Sequence, residues 1–416
     1  MQKSSIQENG SGYCWTVLFL ATVAQTTISI ITQGLAALAP FFQAEFNLSR
    51  GMVGMAVIMA NLGAFFTYAF VGKAADVFGE RNVVSLGGIS IGLISMGMIF
   101  VKSSYMLFLA ILLMGFGLAT ATPGGSKAIK TWFSKKQRGM AMGIRQTGVP
   151  LGGMIAALVF PFLSIRYGWR LTLFVAGITC IVSAIVYYLL YKERSDGISE
   201  KQAAGLKKSL LEFRKLLSNT SFLFASIISV VMVASQFSTV TYMILYLVED
   251  IDFSLIMGGT ILAVTQFSGA VGRIVWGTVS DRLFNGDRKK VLMIIGLVNA
   301  SMIVLIAFLT NSSPTWWIVL VVALLGFSAI GWNGLFITLI SELVTDDQGG
   351  AAVGLALTIT QIGIVAGPPL FGFAVDISNS YRLAWLSLSG LIWASLFLYR
   401  YIETDQSQTK ISETGR

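Results

Sequence analysis

The sequence predicts an all-α integral membrane protein with twelve transmembrane helices in two pseudo-symmetric six-helix halves. Composition is the first sign: 55% of the 416 residues are hydrophobic and 12% are charged, against about 25% charged in an ordinary soluble domain. Twelve apolar stretches, each near the ~20 residues a helix needs to cross the hydrocarbon layer, are the second. Matching residues at a fixed offset between the two halves are the third.

In chain order the spans fall at about 13–39, 50–72, 83–101, 105–130, 139–164, 167–191, 220–247, 255–278, 290–310, 315–341, 350–374 and 382–401. They divide the chain into a tail (1–12), a first half (13–191), a connecting segment (192–219), a second half (220–402) and a second tail (403–416). Span 1 is too long for a signal peptide and lacks a small-residue cleavage site, so it is expected to stay as a helix. The connecting segment is charged, and its Leu206, Leu210, Leu211 and Phe213 fit a short amphipathic helix on the membrane surface. The 43 Gly and seven Pro are spread through the apolar stretches, including Gly148-Val149-Pro150-Leu151-Gly152 and Gly367-Pro368-Pro369. Such runs let membrane helices bend and pack closely.

Charge orients the chain. The net charge is +9. With the N-terminus inside, one set of loops and tails carries 21 basic residues and the opposite set carries five, Arg50, Lys102, Arg166, Arg170 and Arg382. The positive-inside rule then places both termini and the connecting segment in the cytoplasm of a multi-pass cell-membrane protein. The basic excess is a topology signal, and no nucleic-acid partner is expected. With two cysteines and no histidine, the chain offers no disulfide framework, no metal-ligand cluster and no Ser/His or Cys/His pair. Neither enzymatic activity nor a cofactor or metal is expected.

The repeat is read at two offsets. An offset of 211 lays Gly115-Phe116 on Gly326-Phe327, and Gln137, Gly139, Ala141 and Gly143 on Gln348, Gly350, Ala352 and Gly354. An offset of 205 lays Gly72 and Asp76 on Gly277 and Asp281. Parallel repeats of this kind mark a transporter whose site lies between its halves at mid-membrane.

The loop after span 2, Gly72-Lys73-Ala74-Ala75-Asp76-Val77-Phe78-Gly79-Glu80-Arg81, resembles the G-x-L-a-D-r-x-G-r-r signature of the major facilitator superfamily. It matches at Gly72, Asp76, Gly79 and Arg81, and departs at Val77 and Glu80, where the family usually has basic residues. The second copy keeps Asp281-Arg282 and has Phe284 where Gly is expected. The resemblance implies the major facilitator fold and rocker-switch alternating access. Spans 1, 4, 7 and 10 would then line the cavity, and 2, 5, 8 and 11 would frame it. Gly72, Asp76, Gly79, Arg81, Asp281 and Arg282 would be gating residues, with Asp76 capping the N-terminus of span 11.

Substrate class comes from polar residues inside the spans, where ionisable groups are costly and usually functional. Three basic residues lie there. Arg273 on span 8 is about 12 Å along the helix from Asp281 at 1.5 Å per residue, Arg145 is about two turns into span 5, and Lys127 is on span 4. Their structural alternatives are a hydrogen bond to a neighbouring helix for Arg273, snorkelling or a helix carbonyl for Arg145, and snorkelling for Lys127. Acids are placed elsewhere: Glu45, Glu249, Asp250 and Asp252 at outer ends, Asp76, Asp281, Asp346 and Asp347 in loops, and Glu342 at the inner end of span 10. A buried cation needs a counter-charge, whereas buried guanidinium suits a carboxylate or phosphate. Gln25, Asn61, Gln236, Tyr242, Gln266, Trp332, Asn333 and Gln361 complete a candidate pocket of mostly apolar walls with a few placed polar groups.

A narrower resemblance runs from Ser268 to Arg282, which is similar to helix 8 of monocarboxylate and oxalate/formate porters. There an Arg at the spacing of Arg273 binds the substrate carboxylate. The lysine that oxalate-type porters carry on helix 11 has no counterpart, and Gln361 is the strongly polar side chain midway along that span. Gly143 to Gly153 also looks somewhat like the Gly-Pro-Gly motif of the superfamily's exporters.

Secondary or facilitated transport of a small organic anion, a carboxylate first of all, is therefore the leading expectation. Protons or a counter-anion are the candidate co-substrates, and a monomer in the bilayer is expected. Proton-coupled efflux of drugs or other amphiphiles is the alternative, which a carboxylate such as Glu342 reaching the cavity would favour. A non-transporting sensor or scaffold is the third reading.

Overall fold

The structure is a computed structural model that describes residues 10–133, 137–193, 216–344 and 349–403. Its elements are α1 (Gly10–Ala37), α2 (Ala39–Phe46), α3 (Arg50–Phe78), α4 (Glu80–Gly97), α5 (Ser104–Trp132), α6 (Arg138–Gln146), α7 (Gly148–Tyr167), α8 (Trp169–Leu190), α9 (Thr220–Glu249), α10 (Leu255–Arg282), α11 (Arg288–Ala307), α12 (Thr315–Ala329), α13 (Asn333–Glu342), α14 (Gly349–Ser378) and α15 (Tyr381–Leu396), with two short 3₁₀ turns. Among the described residues there is no strand, and eleven spans are long and apolar enough to cross a membrane. The remaining span, the fourth of the sequence reading, is α5, with Ser104–Thr120 as its apolar stretch among the described residues. The amphipathic helix expected around Leu206 lies outside the described residues.

Four helices start where a short polar side chain takes up an orphan N–H. The side chains of Ser103, Asn219, Asp287 and Ser380 accept from the backbone N–H of Met106, Phe222, Lys290 and Leu383.

The chain forms two compact units. The first is Met1–Leu48, Met55–Ile198 and Leu255–Ala263; the second is Ser49–Gly54, Ser199–Ser254 and Val264–Arg416. In the first, α1 packs on α7 and α8, and α4 packs on α5 and α8. In the second, α9 packs on α14, and α11 packs on α15 and α12.

The glycines that the repeat aligns do the same work in each unit. A Cβ on Gly115 of α5 would lie 2.2 Å from the Ala60 carbonyl oxygen of α3, and one on Gly326 of α12 would lie 2.2 Å from the Thr265 carbonyl oxygen of α10. Ala60 and Thr265 are themselves 205 residues apart, the offset of the loop repeat. Close backbone approach at this crossing needs a residue without a side chain.

Two spans are interrupted. Span 10 divides at Ile330–Trp332 into α12 and α13, and span 5 divides at Thr147 into α6 and α7. At other helix ends, polar contacts fix the loops. In the first unit Glu45 takes Arg170 at 2.5 Å and the Trp169 indole N–H at 2.6 Å. The Arg170 hydrogen bond holds the Glu45 carboxyl below the ordinary carboxylate range. In the second unit the first turn of α3 is held by three side chains. Asp376 accepts the N–H groups of Arg50 and Gly51 at 2.9 and 2.8 Å, Glu249 takes the Arg50 guanidinium at 2.8 Å, and Tyr242 donates to the Arg50 carbonyl at 2.7 Å.

Candidate functional site

Arg145 and Arg273, one in each unit, lie within membrane spans. In the first unit Arg145, in the last turn of α6, is fully buried. Its Nη1 donates to Gln25 Oε1 at 3.1 Å, and Gln25 Nε2 in turn donates to Ser29 Oγ at 3.3 Å. α1 supplies both acceptors because α7 lies against it: Cβ atoms on Gly148 and Gly152 would lie 3.0 Å from the Thr22 carbonyl oxygen and 2.6 Å from the Thr26 carbonyl oxygen. The glycine-rich run of span 5 is therefore a packing device. Asn61 on α3 is half-buried. The side chain of Lys127 lies outside the described residues.

In the second unit the interruption of span 10 organises the polar groups. Breaking a helix leaves a carbonyl without its N–H partner, and here two side chains converge on that of Ile330: Arg273 Nε at 3.3 Å and Asn333 Nδ2 at 3.2 Å. Asn333 Nδ2 also donates to Gln236 Oε1 at 3.1 Å. Trp276 covers the preceding turn, donating to the Phe327 carbonyl at 3.0 Å. Three expected site residues, Arg273, Gln236 and Asn333, are thus brought together. α13 begins at the same point, so its positive dipole end adds to the Arg273 charge. The hydrogen bond to a neighbouring helix foreseen for Arg273 is present, while the side chain remains part-exposed.

The other residues divide. Gln266 and Trp332 are buried, with no hydrogen bond to Gln266 Nε2 or Trp332 Nε1, and Gln361 Oε1 likewise has none. Trp332 closes a small apolar cavity with Ser229, Met232, Leu292, Phe336 and Tyr399. Tyr242 was expected as a pocket wall. Its ring is fully buried and its hydroxyl is committed to the carbonyls of Arg50 and Pro368, at 2.7 and 2.9 Å. Helix packing takes that hydroxyl.

Of the expected gating residues, Gly72 and Asp76 lie in the last two turns of α3, and the side chain of Asp76 lies outside the described residues. Gly79 caps α4 with a φ of +81°, and the Glu193 carboxylate lies where its Cβ would be. Arg81 places its guanidinium over the Tyr188 ring at 4.0 Å. In the second copy Asp281 is ion-paired with Arg288, whose Nη1 also meets Ser280 Oγ at 2.8 Å and whose Nε meets Glu342 at 3.5 Å. Arg282 is exposed. Phe284 stands where the signature has Gly, and the positive φ has moved on to Asn285 and Gly286, at +51° and +82°.

Glu80 was read only as a departure from the loop signature. It is 5% exposed, the one carboxylate among the described residues buried to that degree. It accepts from the Tyr191 hydroxyl at 2.5 Å. Asp376, which caps α3, was also passed over. Both are acids next to loops, and sequence position alone does not tell an acid that faces solvent from one that a facing helix covers.

Comparison with known proteins decides the family. The profile of the Major Facilitator Superfamily matches residues 17–368 and again 286–415. The chain belongs to the major facilitator superfamily. This major facilitator protein is 27% identical over 381 residues to an uncharacterised MFS-type transporter of Mycobacterium tuberculosis, covering 90% of this chain and 82% of that one. It is 24% identical over 377 residues to the hexuronate transporter of Bacillus subtilis, covering 88% and 89%. It is 26% identical over 332 residues to monocarboxylate transporter 13 of Bos taurus, covering 78% and 74%. Among solved structures, a bacterial homologue of the human lysosomal transporter Spinster, inward-facing and unoccupied, aligns with a TM-score of 0.78 at 18% identity over 94% of this chain and 96% of that one. That likeness is one of fold. The chain is thus a multi-pass membrane transporter and not an enzyme, with organic-anion transporters among its relatives.

Proposed function

We propose that the protein carries small organic anions, carboxylates in particular, across the cell membrane by alternating access, with Arg145 and Arg273 supplying the positive charge. The observation that carries this reading is a guanidinium within a membrane span of each unit: Arg145 donates to Gln25, and Arg273 shares the Ile330 carbonyl with Asn333, which donates in turn to Gln236. A guanidinium inside a membrane span offers a carboxylate a planar, two-pronged donor. The relatives named for hexuronate and monocarboxylate transport support the same class. Drug efflux stays the alternative: Glu342, one acid that would favour it, is half-exposed and ion-paired with Arg288 at 3.5 Å, whereas Glu80 is buried. Both termini face the cytoplasm in this reading, which the 21-to-five loop charge bias supports.

The test is a thermal-shift screen of purified protein in detergent against hexuronates, short monocarboxylates, dicarboxylates, sugar phosphates and lipophilic cations. A ligand at 100 times its Kd stabilises the folded state by ~2.7 kcal/mol. Stabilisation by a carboxylate that disappears in Arg273→Gln, with the unliganded Tm retained, is the expected result. Stabilisation by lipophilic cations alone, or a carboxylate shift that survives Arg273→Gln, overturns the assignment.

A further inference from the structure

Two buried polar groups of the second unit lie on the helix faces that carry Gln236 and Arg273, and neither has a hydrogen-bond partner among the described residues. Gln266 of α10 is 2% exposed, with its Nε2 unbonded; Thr239 of α9 is fully buried, with its hydroxyl unbonded. A buried donor left without a partner is costly. In a native structure such a group calls for a cause.

Helix geometry sets the two side by side. Asn333 ties α9 to α10, because it donates to Gln236 Oε1 and shares the Ile330 carbonyl with Arg273 Nε. Gln266 precedes Arg273 by seven residues, or two turns, so both project from one face of α10. Thr239 follows Gln236 by three residues and is its neighbour on the surface of α9. A short turn joins the end of α9 at Glu249 to the start of α10 at Leu255, so the two helices run in opposite directions. Thr239 is ten residues before Glu249 and Gln266 eleven after Leu255, which is about 15 and 17 Å along the respective helices at 1.5 Å per residue. They are therefore on one level, and that level is about 10 Å along α10 from Arg273. Other buried groups without partners lie elsewhere. Ser238 and Thr241 are about half a turn round α9 from Gln236, and Trp332 borders the small apolar cavity.

We infer that Gln266 and Thr239 bind hydroxyl groups of the substrate, so that the transported anion is a hydroxylated acid of sugar-acid length and not a bare alkyl carboxylate. The inference rests on the anion reading, with the carboxylate on Arg273. From there the substrate extends along α10 toward Leu255, and its far hydroxyls reach the level of Gln266 and Thr239. Gln266 Nε2 donates to a hydroxyl oxygen, and the Thr239 hydroxyl donates or accepts as its partner requires. An alkyl acid of the same length would bring CH₂ groups to both positions and leave both bonds unmade. A site built to bond a hydroxyl rejects the analogue that lacks it far more strongly than apolar contacts alone can. Both groups are neutral, which suits hydroxyls better than a second carboxylate.

The experiment measures binding to the purified full chain in detergent by isothermal titration. One ligand set is D-glucuronate, D-galacturonate and D-gluconate; the other is hexanoate and butyrate, which have the same charge and no hydroxyls. Wild type is expected to bind a member of the hydroxylated set at least ~10-fold more tightly than either alkyl acid. Gln266→Leu and Thr239→Val each remove a hydrogen-bonding group with little change of size. Each is expected to weaken the hydroxylated acid ~10-fold and to leave hexanoate unchanged or tighter. Either variant serves if the other does not fold. Arg273→Gln is expected to lose both sets. An alkyl acid that wild type binds as tightly as the hydroxylated set, or an equal loss of both sets in Gln266→Leu and Thr239→Val, overturns the inference and leaves the anion reading intact. A wild type that binds neither set overturns the anion reading and the inference with it.

Discussion

Adding one carbon at either repeated crossing is the most direct test of the architecture. In Gly115→Ala the new Cβ would sit 2.2 Å from the Ala60 carbonyl oxygen and 2.7 Å from the Ala64 nitrogen, and in Gly326→Ala it would sit 2.2 Å from the Thr265 carbonyl oxygen and 2.8 Å from its Cα. The nearest obstacles are backbone, so no rotamer change relieves them. The paired helices have to separate by about 1 Å or more to reach ordinary contact distance. Overpacking of that kind typically costs ~1–3 kcal/mol and occasionally more, partly offset by up to ~1 kcal/mol of improved helix propensity. Gly143 and Gly354 are the controls, because a Cβ on either meets nothing within 4 Å. Their alanine variants should be neutral or stabilised by up to ~1 kcal/mol. Thermal and denaturant unfolding in detergent, followed by tryptophan fluorescence, should therefore rank Gly115→Ala and Gly326→Ala alike and ~1–3 kcal/mol below the two controls. Equal stability of Gly115→Ala and Gly143→Ala would refute the crossing geometry and the repeat alignment it explains.

Two further outcomes follow from polar contacts at helix ends. Asp376→Asn leaves one acceptor where two oxygens now take the N–H groups of Arg50 and Gly51 and removes the charge facing the start of α3. A loss of ~1–2 kcal/mol is expected at neutral pH, and an unchanged unfolding midpoint counts against the cap. Glu45 is held below its ordinary range chiefly by Arg170, so their pair stabilises the fold above the unfolded carboxylate value and ceases to as pH falls through the lower folded one. At 38% and 29% exposure the pair is worth only ~0.2–1 kcal/mol. The Tm difference between wild type and Arg170→Gln, scanned from pH 7 down to pH 3, should shrink below about pH 4.5, and a constant difference would show that the ion pair is not its source.

The fold was legible because its causes repeat along the sequence. Gly115 and Gly326 could be matched before any geometry was known, and the geometry gives them one shared task. Span positions followed from apolar length alone. The interruption of span 10 was hidden, since Ile330-Gly331-Trp332 contains no proline and the break depends on Arg273 and Asn333 reaching the freed carbonyl. Those two were identified individually as polar residues in a span, and so was Gln236; that they meet is a tertiary fact. Tyr242 reads in the sequence as a pocket wall because it is aromatic, and the structure adds that its hydroxyl is spent on two backbone carbonyls. Glu80 was read only as a departure from the loop signature, with no sign of its burial. Its burial comes from α8, more than 100 residues along the chain, through Tyr191.

The displaced turn of the second half records how the two halves have diverged. The positive backbone angle at Gly79 in the first half lies at Asn285 and Gly286 in the second, past the Phe284 that aligns with Gly79 at the loop offset. The repeat offset also grows, from 205 at this loop to 211 at the glycine crossing. Length has therefore drifted after duplication while the crossing kept its residue and its partner. Connecting turns absorb insertions at little energetic expense, but a glycine wedged against a carbonyl has no tolerated replacement nearby. Ancestry in this chain is better traced through its helix crossings than through its loop signature.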